Sequence, residues 1–182
     1  MSKGKAKAMR RLAQGFTASL DDLELPRPTD TEVILRELIR LAADRRGRDV
    51  ILRREVFPPQ TATGLWMELE THDIIAIDRR AADWHQLVIA GHEIWHMLEG
   101  DCGAHAGDQA MAARLLGEGA DLEPAVATAL AARTNFHQEA EQDAERFGLL
   151  LFSRLGPWLA GTANPASGIA ERIGASLGHR GW

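Results

Sequence analysis

Residues 84–96 read WHQLVIAGHEIWH, an apolar run with two histidines four positions apart. Residues four apart on an α-helix lie only about 40° apart around its axis. The rings of His92 and His96 can therefore reach one metal ion from the same helix face. The full HExxH pattern is also rare, since roughly 0.02 matches are expected by chance in a chain of this composition. The stretch predicts a helix that binds a divalent metal, zinc first and manganese as the alternative.

Glu93 follows the first histidine and lies about 100° round the helix from it. Its carboxylate is too far round to join the histidines comfortably as a ligand, yet it is close enough to hold a water molecule on the metal. Zinc lowers the pKa of such a water from about 15.7 to about 7, and a carboxylate can take its proton during attack on a carbonyl. Glu93 is therefore predicted to be the catalytic base.

A catalytic zinc site needs a third protein ligand, and the sequence offers several candidates. Glu141 heads a stripe of small and apolar residues on a predicted helix, so its carboxylate is expected to point inward toward a cation. Glu145, one turn later, can fix the tautomer of a ligating histidine through a hydrogen bond. Cys102 stands where the metzincin pattern HExxHxxGxxH has its third histidine. His105 and His137 are the remaining candidates, and Glu141 is preferred.

The pattern on either side of this stretch predicts an α+β fold. Asp30 or Thr31 caps a helix that ends near 46–47. Short links between the strands that follow favour a small antiparallel three-stranded sheet. The predicted strands cover 50–52, 64–69 and 74–77. A helical bundle follows, with segments predicted at 82–99, 108–117, 123–133 and 135–155 and a short amphipathic helix near 169–177.

The domain is predicted to span residues 30–182, preceded by a basic and poorly packed lead-in over residues 1–29. The lead-in contains Lys3, Lys5, Lys7, Arg10 and Arg11. A solvated tail or short helix is the first interpretation of this charge run, and an arm that docks a nucleic acid or a partner is the alternative.

Composition narrows the class of protein. The 182 residues carry a formal net charge of −5, which argues against general nucleic-acid binding. The single cysteine, Cys102, permits no intrachain disulfide and fits a reducing compartment. No apolar run approaches the ~20 residues of a membrane helix, and residues 12–22 are too polar for a signal-peptide core. We therefore expect a cytoplasmic protein without membrane partners.

Three segments together resemble the ImmA/IrrE-type metallopeptidases, whose signature is a strand, a short loop, an HExxH helix and a later helix with Glu-x-Glu-Ala. The segments are DIIAID at 73–78, HQLVIAGHE at 85–93 and EQDAERF at 141–147, where Asp143 replaces the second glutamate. The resemblance covers roughly residues 30–155. It is closest to small bacterial members found beside helix-turn-helix regulators and sometimes labelled toxin components.

The resemblance implies a zincin-like core with a metal on His92, His96 and Glu141 and with Glu93 as base. It also implies that the substrate is a helix-turn-helix repressor. Trp95 departs from the family, which usually has glycine there, and its indole either narrows the cleft or packs into the core. Because the chain has no tyrosine, another group must stabilise the oxyanion, and His137, His105 and Arg133 are candidates.

The leading hypothesis is a metal-dependent endopeptidase that cleaves a regulatory protein. The alternative is a non-catalytic regulator or toxin component that contains a metal and acts by docking. A third hypothesis is that the basic arm contacts DNA.

Overall fold

The computed structural model describes residues 3–58, 62–99 and 137–159. The described elements are α1 (Lys3–Asp22), α2 (Thr31–Arg46), β1 (Val50–Glu55), β2 (Gly64–Glu68), β3 (Asp73–Asp78), α3 (Asp83–Glu99), α4 (His137–Arg154) and α5 (Gly156–Leu159). The predicted α+β class with a small three-stranded sheet is therefore confirmed. Several predictions fall outside the described residues, namely the helices at 108–117, 123–133 and 169–177 and the roles of Cys102, His105 and Arg133.

The boundaries of α2 are those that its capping residues predict. The Asp30 side chain accepts a hydrogen bond from the backbone N–H of Glu32 at 2.7 Å, which satisfies one of the free donors of the first turn. At the other end Gly47 adopts a left-handed conformation with φ of 76°, and its N–H donates to the carbonyl of Ala43. The residues at both ends of α2 therefore specify where it starts and stops.

The sheet is mixed, so the prediction of an antiparallel meander is wrong. The strand order is β1-β3-β2, with β3 parallel to β1 and antiparallel to β2. Every residue of β3 is buried, whereas β1 alternates between exposed and partly buried positions over its first four residues. An uninterrupted apolar run such as Ile74–Ile77 suits a central strand covered on both faces. Burial thus places β3 in the middle, although β2 precedes it in the chain.

Helix α1 is part of the core, so the prediction of a poorly packed lead-in is wrong for residues 3–22. Its buried side chains recur at helical spacing, on Met9, Ala13, Phe16 and Leu20. They join the cluster formed by α2, α3, α4 and the helix-facing side of the sheet. The basic run had masked this apolar stripe, which lies on the opposite side of the same helix.

An ion-pair network anchors the end of α2 to the sheet. Asp73, at the start of β3, is fully buried, and the guanidinium of Arg46 donates to its carboxylate at 3.0 Å. Arg48 lies 3.6 Å from the other carboxylate oxygen. A buried carboxylate is tolerated only when it is paired in this way.

Among the described helices, none combines the length and the apolar character that a membrane span requires.

Candidate metal centre

Helix α3 runs over Asp83–Glu99, which agrees with the segment predicted at 82–99. It packs against α2, α4 and the sheet, and ten of its residues are buried. His96 lies on the buried side and is 4 % exposed, whereas the side chain of His92 is 25 % exposed. The centroids of the two rings are 4.7 Å apart. The ring of His96 therefore lies in the core, and the ring of His92 lies next to it where solvent has access.

Helices α3 and α4 run antiparallel. Near the start of α3, the ring of Trp84 lies 6.0 Å from that of Phe152, near the end of α4. Near the end of α3, His96 lies 3.3 Å from Glu141, which begins the second turn of α4. The start of α4 therefore meets the end of α3, and the end of α4 meets the start of α3. This arrangement brings Glu141 to the two histidines.

Two glycines allow the helices to approach closely next to the histidines. A Cβ atom on Gly91 would lie 2.9 Å from the Cα of Gly148. A Cβ atom on Gly148 would lie 2.6 Å from the carbonyl oxygen of Val88 and 3.2 Å from the backbone nitrogen of His92. The two backbones are thus in direct contact beside the first histidine. Gly148 belongs to the stripe of small and apolar residues that follows Glu141, but the sequence gives no sign of this backbone contact.

Gly148→Ala is expected to lower the free energy of unfolding by about 1–3 kcal/mol, because the added methyl group must push α4 away from α3. The matched control is Gly156→Ala, where a Cβ atom would meet nothing within 4 Å. That control is expected to be neutral or to stabilise by about 0.4–1 kcal/mol. Urea denaturation followed by circular dichroism measures both, and equal stabilities of the two variants would contradict the close helix contact.

Three side chains converge at this crossing. The Nε2 atoms of His92 and His96 are 3.0 Å apart, and each lies 3.3 Å from one carboxylate oxygen of Glu141. One donor atom from each residue lies within 4.8 Å of the others. Tetrahedral zinc with bonds of about 2.0–2.1 Å holds its ligand atoms about 3.3–3.4 Å from one another. The donor set and its separations are therefore those of a site that can hold one metal ion.

The electrostatics of Glu141 suit a ligand. Burial by itself raises the pKa of this carboxyl group. Hydrogen bonds to His92 and His96, and the positive charge that these rings can carry, outweigh burial and hold the pKa well below its usual range. Glu141 is consequently a carboxylate at neutral pH, which is the form that binds cations.

Glu93 is held between α3 and the sheet. Glu93 is buried, with 7 % of its surface exposed. A Cβ atom on Gly64, the first residue of β2, would lie 2.5 Å from a carboxylate oxygen of Glu93 and 2.5 Å from a methyl carbon of Ile89. Only glycine leaves room for this carboxylate at the edge of the sheet. The sequence had marked Gly64 as the start of a strand and gave no sign of this contact.

No family model, curated protein or solved structure matches the chain. The geometry of these residues therefore carries the functional argument.

The structure also bears on Glu145 and on the two alternatives for Trp95. Glu145 is exposed, and among the described residues it makes no hydrogen bond with either histidine. The buried stripe of α4 centres on Ala144, Gly148 and Leu151, so Glu141 lies at its rim and Glu145 about 40° further out. Trp95 is 2 % exposed and packs against Phe147 with ring centroids 5.1 Å apart, so it belongs to the core and does not form a cleft wall.

His137 begins α4, and its side chain lies outside the described part of the chain. Its predicted role in the cleft or as an oxyanion donor stays a prediction.

Proposed function

We propose that His92, His96 and Glu141 hold one divalent metal, zinc first and manganese as the alternative, and that the protein is a metal-dependent endopeptidase with a zincin-like fold. The observation that carries the proposal is the convergence of the three side chains: the two histidine Nε2 atoms lie 3.0 Å apart, and each lies 3.3 Å from a different carboxylate oxygen of Glu141. All three donors are ones that zinc prefers.

Ion pairing alone accounts less well for the same distances. A charge-assisted hydrogen bond between a histidine and a carboxylate is usually about 2.7–2.9 Å long. The two separations from Glu141 are 3.3 Å, so the carboxylate stands back equally from both rings. The longer separations leave room for a cation between the two rings and the carboxylate.

The chain's own residues can perform the steps of peptide hydrolysis around such a metal. When bound, zinc supplies a Lewis acid that polarises a carbonyl and acidifies water. The carboxylate of Glu93 takes up a proton from the attacking water and delivers it to the departing amine nitrogen. Burial of Glu93 beneath Gly64 keeps this carboxylate in one place. His96, on the buried side, anchors the site to the core.

The likeness of the sequence to the ImmA/IrrE-type metallopeptidases supports a narrower proposal. A cytoplasmic helix-turn-helix regulator is the natural substrate under that likeness. The likeness depends on the segments at 73–78, 85–93 and 141–147, in the last of which Asp143 replaces the second glutamate of the signature.

Metal analysis combined with a cleavage assay tests the proposal. Purified protein is expected to contain about one zinc per chain and to cleave a mixed peptide library followed by mass spectrometry. The chelator 1,10-phenanthroline should abolish cleavage, and added zinc should restore it. A protein that takes up no zinc, manganese or other first-row ion at micromolar concentration would overturn the proposal, as would cleavage that survives complete metal removal.

A further inference from the structure

Four cations form one exposed stripe on α1. Lys3, Lys7, Arg10 and Arg11 are all exposed. On a helix these positions fall within an arc of about 100° and span about 12 Å of its length. The buried face of the same helix points to the other side, into the core. We call these four residues the basic stripe.

The basic stripe differs from the exposed arginine pair on α2. Arg36 and Arg40 on α2 are also exposed and four residues apart, yet they are paired with Glu32, Glu37 and Asp44. Lys5, which faces away from the stripe, is paired with the buried Asp143 at 2.9 Å. None of the four stripe residues has a carboxylate partner among residues 3–58, 62–99 and 137–159.

The stripe lies on a helix that touches the candidate metal centre. The Lys5–Asp143 ion pair joins the first turns of α1 to the first turns of α4. Asp143 is two residues beyond Glu141, and the ammonium of Lys5 also lies 6.0 Å from the ring of Trp95 on α3. A ligand on the basic stripe would therefore bind the outer side of α1, whose inner side packs against the helices that carry the metal-binding residues.

We propose that the basic stripe docks an acidic segment of a partner protein. Under the proposed function, on which this second step rests, that segment belongs to the substrate. A length of 12 Å matches about four residues of extended peptide, so a short run of aspartate and glutamate can face all four cations.

A duplex nucleic acid fits the surface less well. Its phosphates continue at about one charge per 1.7 Å, far beyond the ends of the stripe. The whole chain carries a formal charge of −5, so the surface outside the stripe is more acidic still and repels a long polyanion. A short acidic peptide avoids that repulsion because it ends where the stripe ends.

Binding of a fluorescent oligoglutamate peptide to the full chain, measured by anisotropy, tests the docking surface. The double variant Lys7→Gln, Arg11→Gln is expected to bind it about tenfold more weakly at low salt. The matched control, Arg36→Gln, Arg40→Gln, removes the same charge at the same spacing and should stay within about twofold of the wild type. Equal weakening in both variants would overturn the proposal, as would tighter binding of labelled duplex DNA than of the peptide at about 0.15 M salt.

A cleavage experiment separates this inference from the peptidase itself. Library peptides cut by the wild type should be enriched in acidic residues at a distance of several residues from the cut site. In the Lys7→Gln, Arg11→Gln variant, KM for those peptides should rise about tenfold with kcat unchanged, since the stripe does not touch the reacting atoms. Cleavage without any acidic preference would overturn the substrate role of the stripe and leave the peptidase standing. Oligoglutamate binding by a protein that cleaves nothing would overturn the peptidase and support the docking surface.

Discussion

Replacing Glu93 with glutamine is expected to lower the rate of peptide cleavage by about 10²- to 10⁴-fold while the protein keeps its metal. Glutamine has nearly the size of glutamate, so it fits beneath Gly64 and beside Ile89 without opening the packing there. Its amide cannot accept and return a proton as the carboxylate does. The three metal-binding side chains are unchanged, so zinc content should equal that of the wild type.

The control for this experiment is Glu99→Gln, which removes an exposed carboxylate from the end of the same helix. It should cleave the peptide library at the wild-type rate. If Glu93→Gln also cleaves at that rate, Glu93 is not the base and the hydrolytic mechanism fails. A cellular effect that survives in Glu93→Gln would favour the alternative hypothesis, in which a metal-containing module acts by docking alone.

Replacing Glu141 with alanine is expected to weaken zinc binding at least about a hundredfold, because losing even an outer-shell partner of a metal ligand costs about 10- to 100-fold in affinity. Glu141 supplies the two oxygen atoms that face the histidines at 3.3 Å. Without it, the site retains two nitrogen donors. Competition with a chromophoric chelator measures the affinity directly.

Glu145→Ala is the matched control, since it removes a carboxylate one turn along the same helix that points to solvent. Its zinc affinity should equal that of the wild type. Normal zinc binding by Glu141→Ala would contradict the assignment of Glu141 as the third metal ligand. The remaining candidates from the sequence, Cys102, His105 and His137, would then have to be tested.

Features that depend on residues within one or two turns of each other were predictable from the sequence. The four-residue spacing of His92 and His96 predicts rings side by side on any α-helix, and the structure places them 3.0 Å apart. Asp30 and Gly47 predict the ends of α2 for the same local reason. The small sheet followed by helices was predictable from the short strand patterns between residues 50 and 77 and the helical patterns from residue 82 onward.

Features that depend on which surfaces cover one another were predicted less well. Short links suggested that β1, β2 and β3 follow one another in the sheet, but complete burial of β3 requires the central position. Charge suggested a loose lead-in, but Phe16 and Leu20 bury the other face of α1 against the core. In both cases apolar burial outweighed a local signal, since it removes much more surface from water.

The candidate site also combines features that the sequence predicts with features that depend on packing. The sequence by itself determined the histidine pair, the adjacent Glu93 and an inward-facing Glu141, because each follows from the 100° turn of a helix. Only the tertiary structure decided that Glu141 meets the histidines, that Glu145 points outward and that Trp95 fills the core. Those outcomes depend on the antiparallel crossing of α3 and α4 at Gly91 and Gly148, where two backbones separated by more than fifty residues touch. Helical periodicity specifies the direction in which a side chain leaves its own helix. Which residue that side chain contacts depends on how closely another helix can pack against it.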